Sequence, residues 1–236
     1  MRVRRFAGPE IYARTMAPVR IAHVTDQHVG RVTPFAIQRE AQTLVNAEKP
    51  DLVLVTGDFV CHSQRYLDQL TYLMEGFAAP VVAVLGNHDY WAGADEVCLA
   101  LKRAGVEVLR NQNTTITVRG QRLQLVGVDD AYTGHARCDR AVAGLRRDLP
   151  SLALSHIAEE ADRLWSYGIP LVLSGHTHGG QIAPFGLLVS LVQPAVKGLH
   201  RFGDTWLYVS RGTGTWGPPM RLGNPAEITL VTLEGA

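Results

Sequence analysis

The chain has 236 residues, 46% of them hydrophobic and 19% charged, with a formal net charge of +1. Such a composition excludes a disordered chain and fits one large globular unit, and the near-zero charge excludes a global field that would draw it to nucleic acid. Cys61, Cys98 and Cys138 form no CxxC pair, which argues against a disulfide framework or a thiolate zinc site.

Arg2, Arg4 and Arg5 are not followed by the apolar run of about 7–15 residues that marks an export signal. No uninterrupted apolar stretch reaches the roughly 18 residues of a membrane span. The expectation is a cytoplasmic protein, with a peripheral place at the membrane as the alternative, residues 1–18 an N-terminal extension and 19–236 a single domain. Val19–Val24 predicts a buried strand that ends at Thr25-Asp26-Gln27-His28. Ile37, Ala41, Leu44 and Val45 have helical spacing, and Pro50 stops that helix. Leu52–Val55 predicts a strand ending at Thr56-Gly57-Asp58, and Leu67, Leu70, Met74 and Phe77 predict a second helix. Val81–Leu85 predicts a third strand, ending at Gly86-Asn87-His88-Asp89, with a helix over Asp95–Ala104 and Gly105 as its stop. Strands are predicted at Val106–Leu109, Thr114–Val118 and Leu123–Val128, and Leu152–Leu154 runs into Ser155-His156. A short helix over Glu159–Tyr167 precedes Leu171–Leu173, which runs into Ser174-Gly175-His176-Thr177-His178. Trp206–Val209 and Ile228–Leu233 are closing strands. Alternating strands and helices predict an α/β fold, in which sites form beyond the carboxyl ends of strands.

Five strands thus end in residue types that bind metals. Aspartate oxygens and neutral imidazoles suit divalent ions of intermediate hardness such as manganese, iron and zinc. Asp26 and His28, like His176 and His178, are spaced to aim at one ion. Asp58 has two carboxylate oxygens with which to bridge two ions, while Asn87 offers an amide oxygen and His156 a nitrogen. Two ions about 3.5–4 Å apart can clamp a phosphoryl group while a bridging hydroxide attacks phosphorus in line. His88 is the candidate to contact the phosphoryl oxygen or protonate the leaving group, and Asp89 is expected to orient it.

These five blocks, in this order, resemble the calcineurin-like metallophosphoesterase superfamily over about residues 19–233. The resemblance implies a four-layer αββα sandwich. It implies one ion on Asp26, His28, Asp58 and His178, a second on Asp58, Asn87, His156 and His176, and His88 as the catalytic histidine. Manganese is the ion it implies; iron, zinc, nickel or magnesium would also suit the donors. Gly127-Val128-Asp129-Asp130, Ser174–Gln181 and Ser210–Gly214 further resemble bacterial membrane-associated phosphodiesterases similar to UDP-2,3-diacylglucosamine hydrolases. The chain departs from that subgroup in showing no export signal or N-terminal anchor and in having Ile157 where a proline often stands.

The resulting expectation is hydrolysis of phosphodiester or pyrophosphate bonds, in a small molecule or a lipid-linked substrate. His62, Tyr90, Trp91, Arg211 and Arg221 are the candidate substrate contacts. The apolar segment 185–196 would, if exposed, meet a lipid tail or bilayer surface. A cyclic-nucleotide phosphodiesterase or nuclease is the alternative, although no specific nucleic-acid binding is expected without a long basic stripe. A non-catalytic, metal-bearing scaffold is the third reading.

Overall fold

A computed structural model describes residues 1–183, 191, 193 and 195–234. One sheet runs in the order β1 (Arg2–Ala7), β12 (Glu227–Leu233), β2 (Val19–Val24), β3 (Leu52–Thr56), β4 (Val81–Val84), β5 (Glu107–Val108). The other runs β10 (Gly198–Phe202), β11 (Thr205–Val209), β9 (Leu171–Ser174), β8 (Ser151–Leu154), β7 (Gln121–Gly127), β6 (Gln112–Val118). Helices α1 (Phe35–Ala47), α2 (Leu67–Glu75) and α3 (Asn87–Arg103) follow β2, β3 and β4, and the short α4 (Cys138–Ala141) and α5 (Glu160–Trp165) belong to the second half.

The layering follows from strands buried on both faces, whose successive side chains point in opposite directions. In β3, Leu52 and Leu54 join a core with Leu123, Leu125, Leu152, Leu154, Leu171 and Leu173 of the second sheet. Val53 and Val55 face the other way, into a core with Ala41, Val45, Leu70, Leu73 and Leu101 of the first three helices. In the second sheet, Val126, Ala153, Val172 and Leu207 pack against Ala161 and Leu164 of α5. Three stacked cores separate four layers, helices, sheet, sheet and helices, which is the αββα sandwich.

Segment 1–18, expected as an N-terminal extension, packs on the rest of the chain. β1 pairs in parallel with β12, from Arg2 opposite Glu227 to Ala7 opposite Thr232, and Tyr12 is buried with its hydroxyl donating to Ser151 O at 2.7 Å. The third helix starts earlier than Asp95. Gly86 is its N-cap, the motif Asn87-His88-Asp89 forms its first turn, and it passes through a kink at Gly93 (φ 116°). β10 was not legible in the sequence pattern at all. Of segment 185–196, only 191, 193, 195 and 196 are among the described residues, so the expectation placed on it lies largely outside them.

His23 of β2 belongs to the core. It is fully buried, with Nε2 2.8 Å from Thr56 Oγ1, and burial lowers its pKa to about 3. The unfolded chain takes up a proton near pH 6.5 that the folded chain refuses until about pH 3, so stability rises with pH across that window and is lost on acidification. We expect His23→Leu, unfolded by urea in the presence of chelator, to lose about 1.4 kcal/mol per pH unit of this acid-side slope. An identical slope in variant and parent would show that His23 is not the group responsible.

Candidate metal centre

The five predicted blocks meet at one edge of the sandwich, where β2, β3, β4, β8 and β9 end. Main-chain bonds between neighbouring loops of each sheet fix them: Asp26 N donates to Gly57 O, His28 N to Asp58 O, and Gly175 N to His156 O. The backbone there is held where side chains rarely sit, with positive φ at Asp26 (52°), His28 (47°), Asp58 (54°), His176 (70°) and His178 (50°). Non-glycine residues adopt this region at a cost that surrounding contacts must offset, and such positions cluster at functional sites. Gly86 makes the close approach possible, since a methyl group there would collide with the Asp58 carboxylate and the His156 ring.

Two clusters of donor atoms result, Asp26–His28–His178 and Asp58–His156–His176, each with its atoms within 4.8 Å of one another. Asn87 Oδ1 is 3.1 Å from His156 Nε2 and 3.1 Å from His176 Nδ1. Asp58 Oδ2 stands between the clusters, 3.3 Å from His156 Nε2 and 3.6 Å from His28 Nε2. All seven side chains predicted as ligands are therefore brought together. His156 Nδ1 donates to Thr56 O at 2.7 Å, which leaves Nε2 directed at Asp58 and Asn87, the arrangement of a ligating histidine held by its other nitrogen.

The electrostatics suit divalent cations. His28 Nε2 and His178 Nε2 confront each other at 3.0 Å. Burial pushes the first ring's pKa down to about 3 and the second well below the usual range. Burial also raises Asp26, to about 7, with the Asp58 charge adding to it. Burial opposes ionisation of Asp58 and His156 as well, yet their mutual attraction wins, holding the carboxylate below its usual range and raising the imidazole to about 10. Facing lone pairs and buried carboxylates are satisfied together by positive charge placed among them, and this oxygen and nitrogen donor set fits divalent metal ions.

His88 lies in the same corner, 4% exposed. Its backbone N–H donates to Asp58 Oδ1 at 2.9 Å, and burial lowers its imidazole to about 4. Asp89 does not orient it, which corrects the sequence expectation. The Asp89 carboxylate accepts from the backbone N–H of Asp58 and Gly86 on Oδ2, and of Phe59 and Val60 on Oδ1, at 2.9–3.2 Å, while His88 Nδ1 has no partner among the described residues. Asp89 clamps the loop after β3 to the start of α3. Asp89→Asn turns an amide NH2 toward two of these donors and should lower stability by about 3 kcal/mol or more, measurable by urea unfolding of metal-free protein. A loss under about 1 kcal/mol would contradict the clamp.

The other predicted contacts divide. Trp91 lines a cleft of about 520 Å³ beside Asp58, Asn87, His88, His176 and His178. His62 is exposed and stacks on Trp91, with ring centroids 5.0 Å apart. Tyr90 is turned away from the cleft, stacked on His135 and accepting from Arg110 Nη2 at 3.1 Å. Arg221 is spent on the protein: Nε donates to Gly214 O at 2.9 Å, Nη2 to Arg211 O at 2.8 Å, and Nη2 faces His178 Nδ1 at 3.1 Å. Arg211 is nearly buried beside Glu227, with Nε 3.7 Å from its carboxylate. Neither arginine lines the cleft: Arg221 holds the loop behind His178, and Arg211 pairs with Glu227. Sequence reasoning missed Tyr132 and Trp216, which form much of the cleft wall. Trp216 did carry a signal, as an aromatic residue in the Gly/Pro-rich run 214–219. No helix among the described residues is long and apolar enough to cross a membrane.

Comparison with known proteins agrees with this geometry. The chain is 33% identical over 232 residues to the phosphodiesterase YaeI of Escherichia coli K12, covering 92% of this chain and 83% of that protein. It is 34% identical over 230 residues to an uncharacterized metallophosphoesterase of Campylobacter jejuni, covering 92% of this chain but only 59% of that longer protein. Among solved structures it shares its fold with the protein TT1561 of Thermus thermophilus (TM-score 0.56, 16% identity, covering 81% of this chain and 88% of that one). The family profile described as calcineurin-like phosphoesterase matches residues 19–180, and the chain belongs to that family.

Proposed function

We propose that this chain hydrolyses phosphodiester bonds with two divalent cations, one held by Asp26, His28, Asp58 and His178 and the other by Asp58, Asn87, His156 and His176. The observation that carries this reading is the place of Asp58 Oδ2, within 3.6 Å of a nitrogen from each donor cluster. Such ions, when bound, supply positive charge to the phosphoryl oxygens and acidify the attacking water. His88, neutral at pH 7 and lining the cleft with Nδ1 buried, presents its other nitrogen to a phosphoryl or leaving-group oxygen. Manganese remains our choice of ion on the family resemblance; the aspartate, amide and imidazole donors suit it as they suit iron and zinc.

The cleft favours a diester or pyrophosphate with a bulky apolar group, including a lipid-linked one. Trp91, Tyr132, Ile182, Trp216 and Pro218 line it, and no Lys or Arg is among its described lining residues. A nuclease would need phosphate contacts along its groove. Beside the cleft, Trp216, Met220 and Leu222 are each more than half exposed, a surface suited to an acyl chain or the edge of a bilayer.

Chelator-treated protein should lose turnover of bis-p-nitrophenyl phosphate by more than about a hundredfold and regain it with manganese. In a panel of nucleotide diesters, acylated nucleotide-sugar diphosphates, phospholipids and monoesters, acylated substrates should have the highest kcat/KM. A manganese-loaded protein inert toward every diester and pyrophosphate would sink the hydrolytic reading and favour a scaffold.

A further inference from the structure

A third cluster of metal-ligand atoms adjoins the centre. One ring nitrogen each of His28 and His88 and the sulfur of Cys61 lie within 4.8 Å of one another. Both rings also have an Nδ1 that is buried without a hydrogen-bond partner among the described residues, and both residues are at least 96% buried. Asp89 cannot satisfy His88, since its carboxylate is committed to four backbone donors. Cys61 is only partly buried, so an ion can reach it from solvent.

We propose that Cys61 and His88, with His28 as third donor, bind a soft divalent cation such as zinc or cadmium, and that this binding silences the phosphodiesterase site by capturing His88. Zinc bonds of about 2.3 Å to sulfur and about 2.0–2.1 Å to nitrogen set three donors on one ion roughly 3.4–3.8 Å apart, so a cluster whose atoms lie within 4.8 Å of one another closes by up to about 1 Å on binding. The site selects softness. Burial raises the Cys61 thiol, with the Asp58 charge adding to it, so an entering ion must displace the thiol proton to solvent. Ions with strong thiolate affinity do this, and manganese or magnesium do not. His28 serves one cation at a time, so excess manganese opposes the inhibition.

The silencing rests on the hydrolytic reading above, but the binding does not, and the test separates them. Manganese-loaded protein is titrated with cadmium while the ultraviolet cadmium–thiolate absorption and turnover are followed together. One equivalent should produce the band as turnover falls. Cys61→Ser should abolish the band and raise the inhibitory cadmium concentration at least about tenfold, judged against the variant's own rate without cadmium. Added manganese should shift the parent's inhibition to higher cadmium. Absence of a band in the parent, or its survival in Cys61→Ser through Cys98 or Cys138, overturns the site whether or not the protein hydrolyses diesters. Equal inhibition of parent and Cys61→Ser overturns the silencing.

Discussion

Asp58→Asn should empty both halves of the metal centre at once and lower turnover by more than about a thousandfold. The Asp58 carboxylate faces His28 of one cluster and His156 of the other through a single oxygen, while its second oxygen accepts the His88 N–H. An amide keeps the shape but removes the charge. It also places NH2 either against imidazole nitrogens that are themselves seeking a cation or against a backbone donor. Metal content measured after gel filtration should fall from near two per chain to near zero, with the fold retained by circular dichroism. A variant that keeps both ions would show that the two clusters do not share Asp58. Loss of one ion with the other tightly held would assign Asp58 to a single cluster.

His88→Ala should show the opposite pattern, with both ions kept and turnover reduced by about 10²–10⁴. The ring borders the cleft but belongs to neither the Asp26–His28–His178 nor the Asp58–His156–His176 cluster, and the backbone N–H that tethers it to Asp58 survives the substitution. If the ring serves the leaving group, the deficit should be large for an alkoxide and small for p-nitrophenolate, which departs without a proton. Equal deficits for both esters would move the role of His88 to the phosphoryl oxygens. Loss of metal would make it part of the centre.

Much of this centre was legible before any coordinates, because the chemistry lies in short blocks at the ends of apolar runs. Asp26, His28, Asp58, Asn87, His156, His176 and His178 are identifiable from residue type, order and strand position, and alternation of strands with helices implies the rim on which they meet. Strands β2, β3, β4 and β9 are apolar enough to stand out from their flanks. β1, by contrast, reads RVRRFA and has only its partly buried Val3 and Phe6 to mark it, so no periodic signal distinguishes it from a surface tail. Its place is set by six register pairs with a strand more than 200 residues later.

The partners of polar side chains were decided by the tertiary structure alone. Asp89 stands next to His88 in the chain, yet as N3 of a helix its carboxylate turns back to the N-terminus and finds four N–H groups from two loops. Arg221 has the donors of a phosphate clamp, but folding of its own loop surrounds it with carbonyl oxygens first. Residue type and spacing state what a side chain can bind. Which of several competent partners it meets depends on loop closure and sheet register across the whole chain, and no local pattern records those contacts.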